Sequence, residues 1–151
     1  VFDRAVASLK AAGVTVAECA GVEPNPRITS VERGARIARE ERCDVVVALG
    51  GGSTMDAAKV IAAAVLYEGD PWDMIWVGEP DRRLPTCALP VITVPTLAAT
   101  GSEMNCGAVI TNAAITNSFT RIPVWGELDV SVAQCDALTA AVTVYVAYWA
   151  E

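Results

Sequence analysis

The chain has 151 residues, 53% of them hydrophobic and 19% charged, enough for one ordinary domain with a substantial core, which excludes a disordered chain. Its formal charge is −7 with no block of Lys or Arg, so nucleic acid and anionic membrane are poor partners; its longest apolar run, Leu138 to Ala150, is shorter than the roughly 20 residues that span a bilayer. Five cysteines, an odd number without CxxC spacing, suggest neither a disulfide framework nor a zinc site and read as small apolar residues in a reducing, cytoplasmic setting.

In chain order, Phe2, Val6 and Leu9 recur at helical spacing over residues 2 to 12, and Gly13 follows as a stop. VTVAE (14 to 18) predicts a short strand, and the two prolines of GVEPNPR (21 to 27) predict a loop. Thr29 with Glu32 has the spacing of a capping box, and Val31, Ala35 and Ala38 form one apolar stripe, so a helix is expected over 30 to 42. DVVVAL (44 to 49) is continuously apolar, the pattern of a strand buried on both faces of a parallel sheet. Ser53 with Asp56 then reads as a second capping box, opening a helix through about Tyr67.

A connecting stretch from Gly69 to Pro90, with Trp72 and Trp76, leads to a second buried strand, PVITVP (90 to 95). This strand is expected, like 45 to 49, in the sheet interior. TLAATGSE forms a polar loop, and GAVIT (107 to 111) one more strand. From Ala133 onward a last apolar helix is expected, although its β-branched residues lower helix propensity, and its exposed stripe would favour self-association. The pattern is α/β, an open and mostly parallel sheet flanked by helices.

Gly50, Gly51 and Gly52 fall at the carboxyl end of a central strand and the amino end of a helix, where open α/β sheets bind ligands. A backbone without side chains lets a phosphate approach, and the free amides and dipole of the first helical turn favour its charge. Ser53 adds a hydroxyl there. The turn also has a purely steric reading, in which the glycines join strand to helix and Ser53 and Asp56 only cap it. It is neither GxGxxG nor a Walker loop, because Lys59 has the wrong spacing. The second loop, PTLAATGSE, brings Thr96, Thr100 and Ser102 to what should be the same sheet edge, so the two loops together suggest one long ligand.

GGGSTMDAAKVIA resembles the GGGSxxDxAK signature of the iron-containing, or group III, alcohol dehydrogenases, PTLAATGSEMN resembles their PTTxGTGSE loop, and GVEPNPR resembles the loop before their capped helix. DPWD with LAATGSEMNCGAVITN is most similar to the butanol dehydrogenase branch. The resemblance implies a Rossmann-like nucleotide-binding domain of the dehydroquinate-synthase-like fold, and hydride transfer between NAD(P) and a primary alcohol or aldehyde. In the family an iron or zinc ion acts as Lewis acid. By resemblance the diphosphate falls to Gly51, Gly52 and Ser53, and the nicotinamide side to Thr96, Thr100 and Ser102. Asp56 is carried over only as a nearby signature residue. The branch leans toward NADP, and a homo-oligomer is expected.

Residues 1 to 112 carry the resemblance as an NAD(P)-binding unit lacking its first strand, while 113 to 151 depart from it and read as the start of a truncated helical metal domain. DALTAAVTVYV (136 to 146) is similar to a family metal-ligand helix, which makes Asp136 the candidate ligand and puts Ala140 where a histidine is expected. The family's metal takes one Asp and three His, and this sequence contains no histidine. The implied alternatives are the cofactor part of a metal-dependent dehydrogenase and an inactive nucleotide-binding or structural module. For the chain alone, no alcohol oxidation is expected.

Overall fold

The computed structural model describes residues 1–75, 85–98, 101–113, 119–123 and 143–148. Its main sheet is parallel throughout, built from β1 (Thr15–Ala20), β2 (Val45–Gly50), β3 (Val91–Pro95) and β6 (Thr143–Tyr148) in the order β1-β6-β2-β3. A separate antiparallel pair joins β4 (Gly107–Thr111) to β5 (Phe119–Pro123). This is the open, mostly parallel α/β architecture that the apolar periodicities predict.

Helices cover the two faces of the main sheet unequally. On one face, Phe2, Ala5 and Leu9 of α1 (Phe2–Ala11) pack with Val14 and Val16 against Val45, Val47 and Leu49. On the other, Val46 and Ala48 join the main core with α2 (Ile28–Glu40) and α3 (Gly52–Leu66). Val31, Ala35 and Ala38 form the buried stripe of α2, as their spacing predicts. α3 is apolar nearly all round because it is enclosed by α2, β2 and β4. Its alanines at 57, 58, 62, 63 and 64 are all buried, and their small side chains permit that close approach.

The carboxyl end of α3 has no basic residue of its own, so its last carbonyls depend on a neighbour. Arg39 of α2 supplies it, donating Nε to Val65 O at 2.9 Å and one terminal nitrogen to Tyr67 O at 3.0 Å and to Ala64 O. A guanidinium there also opposes the negative end of the helix dipole.

Several expectations are corrected. β3 is not interior: among the described residues it pairs only with β2, and Ile92 and Val94 are 54% and 42% exposed. They register with Val47 and Leu49, on the face α1 covers only in part. The expected final helix is also overturned where the structure describes it, since residues 143–148 form β6 between β1 and β2. TVYVAY is rich in β-branched and aromatic residues, which favour a pleated ladder, and this slot offers a partner on both edges. The exposed helical stripe behind the self-association argument is therefore absent over 143–148.

The Thr29–Glu32 capping box does not form. α2 starts at Ile28 with Arg27 as N-cap and no side-chain cap bond. The Arg27 carbonyl instead accepts from Ser30 and Val31, and the preceding chain is held by Thr111 N donating to Pro26 O at 2.8 Å. Of the cysteines, Cys19 and Cys43 are buried as expected, whereas Cys87 and Cys106 are exposed. Burial, aided by the charges of Glu41 and Asp44, pushes the Cys43 thiol up to about 11 and leaves it inert.

Gly50 has a packing reason of its own. A Cβ there would lie 2.5 Å from Oγ1 and 2.9 Å from Cβ of the buried Thr54. Gly50→Ala is expected to destabilise the chain by about 1–3 kcal/mol, as overpacking does, in urea denaturation; wild-type stability would show that Thr54 yields freely.

Candidate functional site

Two loops meet at the carboxyl edge of β2 and β3. Gly50 ends β2, Gly51 is the N-cap of α3 in extended backbone, and Gly52 begins the helix. The space where a Gly51 side chain would stand is open, with nothing within 4 Å of an added Cβ. First-turn amides of a 15-residue helix thus lie beside open space at position 51. The second loop starts beside it: Thr96 N donates to Gly50 O at 3.0 Å, and Thr96 is exposed.

Ser53 and Asp56 do not form the expected capping box, because α3 has no side-chain cap bond. Each is committed to a distant partner. Ser53 Oγ accepts the Asn25 amide at 3.3 Å, which seats the 21–27 loop over the glycine turn. Accepting that bond leaves the Ser53 hydroxyl proton free to donate elsewhere. Asn25 makes the contact from a left-handed backbone at φ 53°, a conformation asparagine tolerates better than most residues.

Asp56 faces the second loop. Its Oδ1 accepts the Ser102 hydroxyl at 2.5 Å, and its Oδ2 accepts the Val109 amide of β4 at 3.0 Å. One turn on, Lys59 Nζ donates to Ser102 Oγ at 2.8 Å, to Ser102 O at 2.9 Å, to Asn105 O and Oδ1 at 3.2 Å each, and to Gly107 O. It lies 3.4 Å from Asp56 Oδ1, with the two side chains only 9% and 17% exposed. Burial lowers the pKa of Lys59, while the charge and hydrogen bond of Asp56 work against that shift.

The loop side of this contact is equally satisfied. Gly101 turns in the left-handed region at φ 70°, Met104 N donates to its carbonyl at 2.9 Å, and Asn105 Nδ2 donates to the same oxygen at 3.0 Å. The Gly107 amide donates to Asn105 Oδ1 at 3.0 Å.

The structure therefore brings Gly50, Gly51, Gly52, Ser53 and Thr96 to one edge, but divides their roles. Ser102 is 3% exposed, with its hydroxyl bonded to both Asp56 and Lys59. Asp56 is an anchor for β4 and the second loop. Thr100 and Asp136 lie outside the described residues. Sequence reading missed Lys59 and Asn25. Lys59 was measured against a phosphate loop, but the spacing it obeys is helical: Ser53, Asp56 and Lys59 follow one another at three residues along α3.

Among the described residues no three of His, Cys, Asp and Glu gather to hold a metal ion. No helix among them is long and apolar enough to cross a membrane.

Comparison with known proteins accords with this geometry. Residues 1–122 match the family model of iron-containing alcohol dehydrogenases. The chain is 50% identical over 112 residues to NADH-dependent butanol dehydrogenase B of Clostridium acetobutylicum, covering 74% of this chain and 28% of that protein. It is 40% identical over 112 residues to NADPH-dependent aldehyde reductase YqhD of Escherichia coli, covering 73% and 28%. The crystal structure of NADH-dependent butanol dehydrogenase A from Thermotoga maritima superposes with a TM-score of 0.74 at 36% identity, over 96% of this chain and 32% of that one. The fold is the Rossmann-like one of these dehydrogenases. The chain spans about 28% of the length of the curated relatives it matches.

The two signature side chains should differ sharply on removal. Ser53→Ala, which loses no cap and only the long, exposed bond from Asn25 N, which water can replace, is expected to change stability by under about 0.5 kcal/mol. Asp56→Ala strands the Lys59 ammonium and the Val109 amide and should cost about 2–4 kcal/mol. Equal losses in urea denaturation would restore the capping-box reading.

Proposed function

The chain belongs to the iron-containing alcohol dehydrogenase family, and from that premise we propose that it is the dinucleotide-holding part of an oxidoreductase acting on a primary alcohol or aldehyde. The observation that carries the reading is the unobstructed mouth at Gly51, set against the amino end of α3 and tied to the second loop by the Thr96–Gly50 bond. In this proposal Gly51, Gly52 and Ser53 receive the diphosphate, with the Ser53 proton donated to it and the helix amides and dipole favouring its charge. Thr96 and Thr100 belong to the nicotinamide side. The dinucleotide supplies the hydride-carrying chemistry when bound. Residues 1–112 are the proposed binding unit.

Cofactor choice falls on NAD(H) rather than on the NADP suggested by the sequence resemblance. The C. acetobutylicum relative at 50% identity is NADH-dependent by name, whereas the NADPH-dependent one stands at 40%.

A metal is another matter. Iron or zinc in this family would call for imidazole donors, which a sequence without histidine does not supply, and the carboxylates and thiols of the described residues do not gather in threes. These residues do not fit the metal. We therefore assign to the chain by itself dinucleotide binding without alcohol turnover.

Two measurements check this together. Titration with NADH should give saturable binding, and Gly51→Val, whose Cβ meets nothing within 4 Å, should weaken it at least ~10-fold, about 1.4 kcal/mol, with the unfolding midpoint near wild type. Unchanged affinity in that variant would move the diphosphate elsewhere. Butanol oxidation with NAD and added iron or zinc should stay at background, and turnover lost on Asp136→Ala would overturn the assignment.

A further inference from the structure

Lys59 sits in a cage of six oxygens: Ser102 O and Oγ, Asn105 O and Oδ1, Gly107 O, and Asp56 Oδ1, the last at 3.4 Å. Only one of the six belongs to a carboxylate, and three are backbone carbonyls, whose positions are set by the loop itself. An ammonium has three N–H donors and no acceptor, so the cage has more acceptors than Lys59 has protons. The Ser102 hydroxyl can accept from Lys59 because its own proton is given to Asp56 at 2.5 Å. Everything around Nζ is thus polarised toward a small cation bearing N–H groups. A neutral side chain there would leave the buried Ser102 oxygens and the partly buried Asp56 carboxylate and Gly107 carbonyl short of donors, the costly half of a broken pair.

The cage also fixes the second loop at its far end. Thr96 N is tied to Gly50 O at the near end, while Ser102, Asn105 and Gly107 are gathered onto α3 by Lys59 at the other.

We propose that Lys59 is a positioning residue, a monovalent cation tethered to α3 that holds the second loop in register with the glycine turn, and that cutting its side chain back opens a binding site for free ammonium. Its functional half rests on the dinucleotide reading above; the cage itself does not.

The test uses the 151-residue chain as wild type, Lys59→Ala and Lys59→Met, in ammonium chloride and in tetramethylammonium chloride at equal ionic strength. Tetramethylammonium carries the same charge but no N–H donor and is too bulky for the cage. Lys59→Ala should lose roughly 5 °C or more of unfolding midpoint. Ammonium should recover part of it and tetramethylammonium should not, while wild type and Lys59→Met, whose side chain fills the cage, respond alike to both salts. NADH affinity of Lys59→Ala should fall about 10-fold in tetramethylammonium, about 1.4 kcal/mol, and return toward wild type in ammonium. An Ala variant that responds equally to both salts, or stays unfolded in both, overturns the cation site. Recovered stability with NADH affinity at the wild-type level throughout overturns the positioning role. Wild type that binds no NADH in either salt removes the dinucleotide reading and the positioning role with it, while the midpoints still decide the cage.

Discussion

A largely desolvated ammonium is the constraint on which the site depends. Lys59 is desolvated between α3 and the loop that follows β3, and a charge in that position is tolerable only if oxygens surround it. Those oxygens come from Asp56 on its own helix and from Ser102, Asn105 and Gly107 across the contact. Satisfying one cation therefore fixes the path of the loop between residues 102 and 107. Asp56 extends the same contact by taking the Val109 amide, and Ser53 continues it by taking the Asn25 amide. One stripe of α3, read at every third residue, thus holds three separate segments around the glycine turn.

The rest of the fold positions that stripe. Alanine-rich packing lets α3 lie close to β2, α2 and β4 at once, and Arg39 satisfies the helix at its far end. The glycines divide the remaining work by sterics. Gly50 lacks a Cβ because Thr54 occupies that space, whereas a Cβ at Gly51 would stand in open space. Packing explains the first glycine fully and the second not at all.

Much of this architecture is legible in the sequence, because continuous apolar runs such as DVVVAL and stripes such as Val31, Ala35, Ala38 have one stable burial each. The motifs that gave the family were legible for the same reason: they concentrate glycines and hydroxyls where a strand ends. What misled was local rules with distant competitors. Ser53–Asp56 and Thr29–Glu32 both have capping-box spacing, yet Asp56 is drawn to Ser102 and Val109, and α2 takes its entry from the backbone of Arg27. The burial of Ser102 is not legible, since nothing local in the sequence announces that Lys59 and Asp56 converge on it. TVYVAY lies in an apolar run that suggests a helix, but its β-branched and aromatic composition is the better guide to a strand. β3 showed an interior pattern but has a ladder partner on one side only among the described residues.

The central claim is that the glycine turn and the caged loop act as one receptor for one ligand. Amide hydrogen exchange of the wild-type chain, with and without saturating NADH, tests it most directly. The account predicts that NADH slows exchange at both places together, at Gly51 to Thr54 and across Gly101 to Val109, although no direct ligand contact is expected at Val109. Protection confined to the first helical turn, with the loop from 101 to 109 exchanging as it does in the free chain, would contradict it.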